Sequence, residues 1–266
     1  MTDVLVAVPA RDEEQRVVAC LESVAAALRQ ARARGTVNRA VVAVAVHRST
    51  DRTPEVVAAT LAAWPDLETF CHVDADSTTV GAVRSRLVAK ACEALDLAPT
   101  PHRWLFSTDA DSVVPGAWVT GLLAHAQAAA AHCVAGMVDL EGWRAHPAAL
   151  AAYEGIVAAG MGAGVPDRHQ GGAGSIGGNG AGTGHRHVYG ANLAVRLDAY
   201  AACGGFPSVP HGEDHGLVGR LRAGGHRVAS VREPAVLTSA RMPGRARHGL
   251  GDLLERLTTQ CVCCAG

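Results

Sequence analysis

Aromatic side chains are scarce in this sequence: Phe, Trp and Tyr make up 4% of its 266 residues, so the core must be built mainly from Ala, Val and Leu. Lysine is nearly missing. Lys90 stands alone against 23 Arg, a bias that reads as coding preference before function. Net charge is missing too. A formal charge of −1 argues against a protein whose main partner is a nucleic-acid backbone, which needs a concentrated basic surface. No apolar run approaches the roughly 20 residues of a membrane span. The start, Met1-Thr2-Asp3-Val4, lacks the basic and apolar regions of a signal peptide, so a cytoplasmic location is expected. The eight cysteines form no metal signature. Cys20, Cys71, Cys92, Cys133 and Cys203 are scattered and read as small buried hydrophobes, and Cys261-Val262-Cys263-Cys264 reads as a frayed tail.

What remains is a globular composition, 48% hydrophobic and 18% charged, with 30 Gly, in a chain long enough to bury a core without staples. Short apolar runs alternate with helical patterns over the first 110 residues. Strands are expected at 3–9, 40–46, 68–73 and 104–107. Helices are expected after Asp12-Glu13-Glu14, whose acids suit a first turn, after Ser49-Thr50-Asp51, and over 80–97. Further on, the pattern predicts helices at 115–131 and 147–160, a strand at 133–140, an extended stretch at 188–195 and short helices at 197–202 and 214–223. One or two strands follow within 226–237, and a last helix at 249–259. Residues 160–184 hold eleven Gly and read as a flexible loop, either an inert insertion or a flap over the site. This alternation predicts an α/β domain with a mostly parallel central sheet flanked by helices, and ligands at the carboxyl ends of the strands.

Those ends carry the chemistry. Asp109-Ala110-Asp111 closes a hydrophobic strand, and two carboxylates one residue apart can share Mg²⁺ or Mn²⁺ while diphosphate oxygens and water complete the shell. The same spacing also suits a solvated turn with a helix cap. Asp-Ala-Asp-Ser occurs twice, at 74–77 and 109–112; the first copy reads as turn and cap, the second as the metal site. Glu213-Asp214, between Gly212 and a helix start, can supply a general base or simply satisfy a helix dipole. Arg84, Arg241, Arg245 and Arg247 are candidate diphosphate partners, because a guanidinium binds two oxygens at once. His185-Arg186-His187, His211, His215 and His248 are the histidines placed to invite a zinc reading.

In order, these segments resemble family-2 glycosyltransferases with the GT-A, Rossmann-like fold. The matching stretches are Val6-Ala7-Val8-Pro9-Ala10-Arg11-Asp12-Glu13-Glu14, Ser49-Thr50-Asp51-Arg52-Thr53, Gly81-Ala82-Val83-Arg84 and Thr108-Asp109-Ala110-Asp111-Ser112. Gly190-Ala191-Asn192-Leu193-Ala194-Val195-Arg196 with Gly204-Gly205-Phe206, and Gly212-Glu213-Asp214, complete the set, which spans residues 3–240. The resemblance implies transfer of a sugar from a nucleotide-diphosphate donor, UDP by default, to an acceptor hydroxyl, with inversion. It assigns the metal to Asp109 and Asp111, with His248 or His211 as a further ligand, the base to Asp214 and acceptor contact to Glu213. Donor contacts fall on Pro9, Ala10, Asp12, Glu14, Arg84, Ala110 and Arg241.

On this reading the whole chain, 1–266, is one catalytic domain. Residues 1–112 form a nucleotide-sugar half, 113–240 an acceptor-side half, and 241–266 an Arg-rich loop, helix and tail. A homodimer is compatible with the sequence. His47-Arg48 replaces the acidic pair that the family places before Ser-x-Asp, and Asp12 replaces its Asn, which unsettles the donor base. Two alternatives stay open: a sugar nucleotidyltransferase, disfavoured by the acidic turn after the first strand, and a nucleotide-sugar-binding protein with a degenerate site. The near-zero charge is itself a sum of opposites. Residues 1–215 carry 16 basic and 22 acidic side chains, or −6, and residues 216–266 carry eight Arg and three acids, or +5.

Overall fold

The computed structural model describes residues 2–161, 185–242 and 249–263. Its elements are β1 (Thr2–Ala10), α1 (Val17–Ala33), β2 (Val37–His47), α2 (Thr53–Ala62), β3 (Glu68–Asp74), α3 (Val80–Ala94), β4 (Arg103–Ser107), β5 (Ser112–Val113), α4 (Trp118–Ala128) and β6 (Cys133–Glu141). Then follow α5 (Pro147–Gly160), β7 (Leu193–Arg196), α6 (Leu197–Ala202), α7 (Glu213–Ala223), β8 (Val228–Ser239) and α8 (Leu250–Cys263).

The strands form one sheet in the order β3-β2-β1-β4-β7-β6-β8-β5. The first four are mutually parallel, β7 runs antiparallel to both β4 and β6, β8 is parallel to β6, and β5 is antiparallel to β8. Chain order reverses at β1, which has β2 on one side and β4 on the other. That is the switch point where a crevice opens beyond the strand ends.

Alternation along β1 divides the core. Val4, Val6 and Val8 face a cluster with α1, α2 and α4, while Leu5 and Ala7 face a second cluster with α3, α6 and α7. On α1 Val17, Leu21, Val24, Ala25 and Leu28 are buried, as the helical spacing predicts, together with Cys20, Ala27 and Ala31, whereas Val18, expected on the same stripe, is exposed. In the first cluster buried Phe106 and Trp118 meet edge to face with centroids 5.1 Å apart. No helix among the described residues is long and apolar enough to cross a membrane.

Several boundaries differ from expectation, each for a local reason. Helix α1 begins at Val17, and Asp12-Glu13-Glu14 lie in the turn before it rather than in its first turn. There Asp12 takes φ +49° and bonds to the neighbouring loop. The extended stretch at 188–195 shortens to β7, because Asn192 N–H turns back to Tyr189 O at 2.9 Å. Strand β8 is continuous, but its register against β6 shifts between Gly136 and Val138, opposite a stretch that holds Pro234, which has no N–H to donate. Two-residue β5 is too short to leave a periodic signal. Helix α8 runs on to Cys263, beyond the expected end at 259. Most of the glycine-rich stretch, 162–184, lies outside the described residues; its two ends meet, with Met161 bridged to His185.

Candidate active site

The crevice beyond β1, β2 and β4 is organised by side-chain bonds between turns. Asp12 N–H donates to Ser49 Oγ at 3.1 Å, and Asp12 Oδ1 accepts from Thr50 N at 2.7 Å and Thr50 Oγ1 at 3.1 Å. Glu13 N–H donates to Thr53 Oγ1 at 2.7 Å, and Glu14 Oε2 accepts from Arg52 N at 3.0 Å. Asp51 receives Glu14 N–H at 3.1 Å and Thr53 N–H at 2.9 Å. The Pro-Ala-Arg-Asp-Glu-Glu and Ser-Thr-Asp-Arg-Thr segments therefore lace the β1 and β2 ends together. Asp12 and Glu14, expected at the nucleoside, hold this lacing. Pro9 and Ala10 end β1 in register with Ala45 and Val46.

His47 and Arg48 tie the end of β2 to the first Asp-Ala-Asp-Ser copy, through Ser77 O at 2.7 Å and Ala75 O at 2.9 Å. In that copy Asp74 accepts from Asp76 N at 3.1 Å and Ser77 N at 3.0 Å and pairs with Arg86 at 3.2 Å. Thr79 caps α3 by accepting from Ala82 N at 3.2 Å. This is the turn and cap that its sequence suggests.

The second copy sits at the centre of the sheet. Ala110 is buried in the core, and its flanking carboxylates meet two arginines. Asp109 pairs with Nη2 of Arg84, a side chain only 2% exposed. Arg84 Nη1 also donates to Ser107 Oγ at 2.5 Å, and Arg84 Nε lies 3.6 Å from Glu213 Oε1. Burial opposes the charge of Arg84, but Asp109 and Glu213 outweigh it and raise its pKa. Two glycines make room here. A Cβ on Gly81 would collide with Pro207 O, and one on Gly190 would lie 2.9 Å from Arg84 Nη2. Beneath the turn, buried Cys20 donates its thiol to Asp109 O at 3.2 Å, and desolvation pushes that thiol far up.

On the other side Arg241, just after β8, reaches Glu13 Oε1 at 2.7 Å and Asp111 Oδ2 at 3.0 Å from the same Nη2. Burial, with Asp109 and Glu13 nearby, pushes the Asp111 carboxyl up to about 6 despite Arg241. At the start of α7, burial raises Glu213 above the usual carboxylate range, against the pull of Arg84. Asp214 is less enclosed. Its Oδ2 accepts from Gly190 N at 2.9 Å and its Oδ1 from His215 N at 2.7 Å.

The structure thus brings Asp109, Asp111, Arg84, Arg241, Glu213 and Asp214 together beyond the carboxyl ends of β1 and β4. It adds Glu13, which the sequence offered only as part of a motif. Glu13 lies in the turn four residues before Val17, the first buried residue of α1, and is itself buried, where a carboxylate needs a partner. His248, Arg245 and Arg247 lie outside the described residues. His185, a zinc candidate, is 1% exposed, with its ring nitrogens 2.9 Å from His187 O and Val231 O. Among the described residues no three His, Cys, Asp or Glu side chains are placed to hold a metal by themselves. A cavity of about 700 Å³ opens at the opposite ends of the strands, beside Thr2, Thr36, Trp104, His132 and Arg196, with no carboxylate in its lining.

No protein-family model matches the chain, and no curated protein matches it. Solved structures do. The chain is similar to S. aureus TarS 1-349 in complex with UDP-GlcNAc, with TM-score 0.61 and 13% identity over 96% of this chain and 65% of that one. It is similar to the mannosyltransferase PcManGT from Pyrobaculum calidifontis in complex with GDP-Man and Mn²⁺, with TM-score 0.58 and 16% identity over 92% and 60%. Glucosyl-3-phosphoglycerate synthase from Mycobacterium tuberculosis, in complex with Mn²⁺, UDP and phosphoglyceric acid, gives TM-score 0.52 and 14% identity over 96% and 76%. The fold is that of the GT-A glycosyltransferases. The chain spans 61–65% of the TarS 1-349 structures.

Proposed function

We propose that the protein is a metal-dependent glycosyltransferase that moves a sugar from a nucleoside-diphosphate donor to an acceptor hydroxyl. The observation that carries this reading is the placing of Asp109 and Asp111 just after β4, beside the switch point of the sheet, with Arg84 joining Asp109 to Glu213, the neighbour of Asp214. The donor set fits the group: two hard carboxylates suit Mg²⁺ or Mn²⁺, whose remaining positions accept diphosphate oxygens and water. Burial, with Asp109 and Glu13 nearby, pushes Asp111 up to about 6, so a cation at this carboxylate would be favoured. A cation held there by Asp109 and Asp111 would neutralise charge on the leaving diphosphate.

The protein's own groups do the rest. Arg241 lies on the Asp111 side, where a diphosphate oxygen can take one of its N–H groups. Asp214, oriented by Gly190 N–H, removes the proton of the acceptor hydroxyl as it attacks the anomeric carbon. Glu213, kept beside Arg84, contacts the acceptor. Base on one face and diphosphate on the other support an inverting, in-line displacement. UDP is the default donor nucleotide.

A thermal-shift panel of nucleoside diphosphates with and without Mn²⁺ tests the donor reading, since stabilisation follows site occupancy. One diphosphate is expected to raise Tm only with metal; no shift with any of them refutes the proposal. Asp214→Asn is expected to abolish transfer and spare the metal-dependent shift. Surviving transfer removes Asp214 as base.

A further inference from the structure

The two contacts of Arg241 are unequal. Against Glu13 it makes a two-point contact, Nη2 to Oε1 at 2.7 Å and Nη1 to Oε2 at 3.4 Å. Against Asp111 it spends only the second N–H of Nη2, at 3.0 Å. The Glu13 side chain is 8% exposed, and the Asp111 and Arg241 side chains are 20% and 30% exposed. Glu13 is also fixed from behind, where its own N–H donates to buried Thr53. One contact is thus anchored in the protein interior, and the other is a single bond at the mouth of the crevice.

We infer that Glu13 is a positioning residue that holds Arg241 as an exchangeable counter-ion of Asp111, so that divalent metal and diphosphate bind cooperatively. The inference rests on the donor site proposed above. Without ligand, Arg241 neutralises Asp111. A metal ion arriving alone must displace that N–H with nothing to receive it. A diphosphate arriving alone meets Asp109 and Asp111. When both arrive, the cation takes Asp111 and the released N–H takes a diphosphate oxygen, while the guanidinium stays on Glu13. Charge points the same way. A divalent cation brings two positive charges and a sugar diphosphate two negative ones, so joint binding leaves the net charge of the site unchanged and either ligand alone does not.

The test is Mn²⁺ titration followed by electron paramagnetic resonance, with wild type, R241Q, E13Q and R241Q/D111N, each alone and with saturating UDP or GDP. For wild type, the diphosphate that fits is expected to tighten Mn²⁺ binding about tenfold or more, a typical coupling between linked sites. R241Q is expected to bind Mn²⁺ alone tighter than wild type and to lose most of that enhancement. The gain must vanish in R241Q/D111N. E13Q is expected to lower the enhancement while leaving binding of Mn²⁺ alone no weaker. If R241Q binds Mn²⁺ alone no tighter than wild type, or keeps the full enhancement, the counter-ion role is wrong although the donor site stands. If neither diphosphate changes Mn²⁺ binding in any variant, the donor site itself falls.

Discussion

Replacing Arg84 by Met removes a charge from a place where water cannot compensate for it. The guanidinium is 2% exposed, makes ion pairs with Asp109 and Glu213, and lies 5.6 Å from the centre of the Phe206 ring. Asp109 is 38% exposed, so solvent screens much of its loss. Glu213 is 10% exposed and is left as a buried carboxylate without its cation. Breaking a buried pair from one side costs about 3–5 kcal/mol. At about 2–4 °C per kcal/mol for a domain of this size, Tm should fall by roughly 6–20 °C. The loss should depend on pH in a defined direction. Burial already raises Glu213 in the folded state, and losing Arg84 raises it further. An acid whose folded pKa lies above its unfolded value favours the fold below the unfolded pKa, and that advantage fades as pH rises through the folded value. Arg84→Met should therefore lose less stability at about pH 5 than at about pH 8. Arg84→Met/Glu213→Gln should recover part of the loss at the higher pH. Differential scanning calorimetry of the three proteins checks this. A Tm for Arg84→Met within about 2 °C of wild type, or an equal loss at both pH values, refutes the reasoning.

Two further perturbations follow from the same geometry. Asp111→Asn removes a carboxylate held at about 6 in the folded protein, so it should stabilise the ligand-free form above that pH by up to about 3 kcal/mol and lose the advantage as the wild-type Asp111 protonates toward about pH 4. The same variant should lose the Mn²⁺-dependent thermal shift, and both effects are read from Tm against pH. Asn192→Leu strands Trp118 Nε1–H, Met137 O and Pro234 O, which the amide joins at 2.9, 2.7 and 2.9 Å. At about 1–3 kcal/mol for each buried group left unpaired, its urea midpoint should fall well below that of wild type with the slope unchanged.

The sheet was legible in the sequence because its first half repeats one physical unit: an apolar strand, a turn with its own cap, and an amphipathic helix. Val17 to Leu28 on α1 is the clearest case, and the helix at 147–160 matches α5 end to end. Legibility fell where contacts distant in sequence decide the backbone. Gly190 falls in the stretch 188–195 that reads as extended, but it packs against Arg84 and the chain turns there before β7 begins. The ladder of β8 is interrupted by Pro234, and the short β5 exists only because Ser112 and Val113 meet Thr238 and Leu237 across the sheet.

The repeated tetrapeptide shows where sequence reasoning stops and topology takes over. Asp74-Ala75-Asp76-Ser77 follows β3, the edge strand, so its carboxylates have only their own turn, Arg86 on the next helix and solvent to answer to. Asp109-Ala110-Asp111-Ser112 follows β4, which lies between β1 and β7, and every neighbouring element contributes something that a short motif cannot encode. The turn after β1 brings Glu13, α3 brings Arg84, the end of β8 brings Arg241, and α7 brings Glu213. In the first copy Asp74 accepts from two N–H groups of its own turn and pairs with Arg86, while its buried Oδ2 has no hydrogen-bond partner among the described residues. In the second, two buried or half-buried cations among the described residues are shared by four carboxylates, and burial, with Asp109 and Glu13 nearby, pushes Asp111 up to about 6. That difference in surroundings separates two identical sequences, and it is the second copy on which the proposed metal-diphosphate site rests.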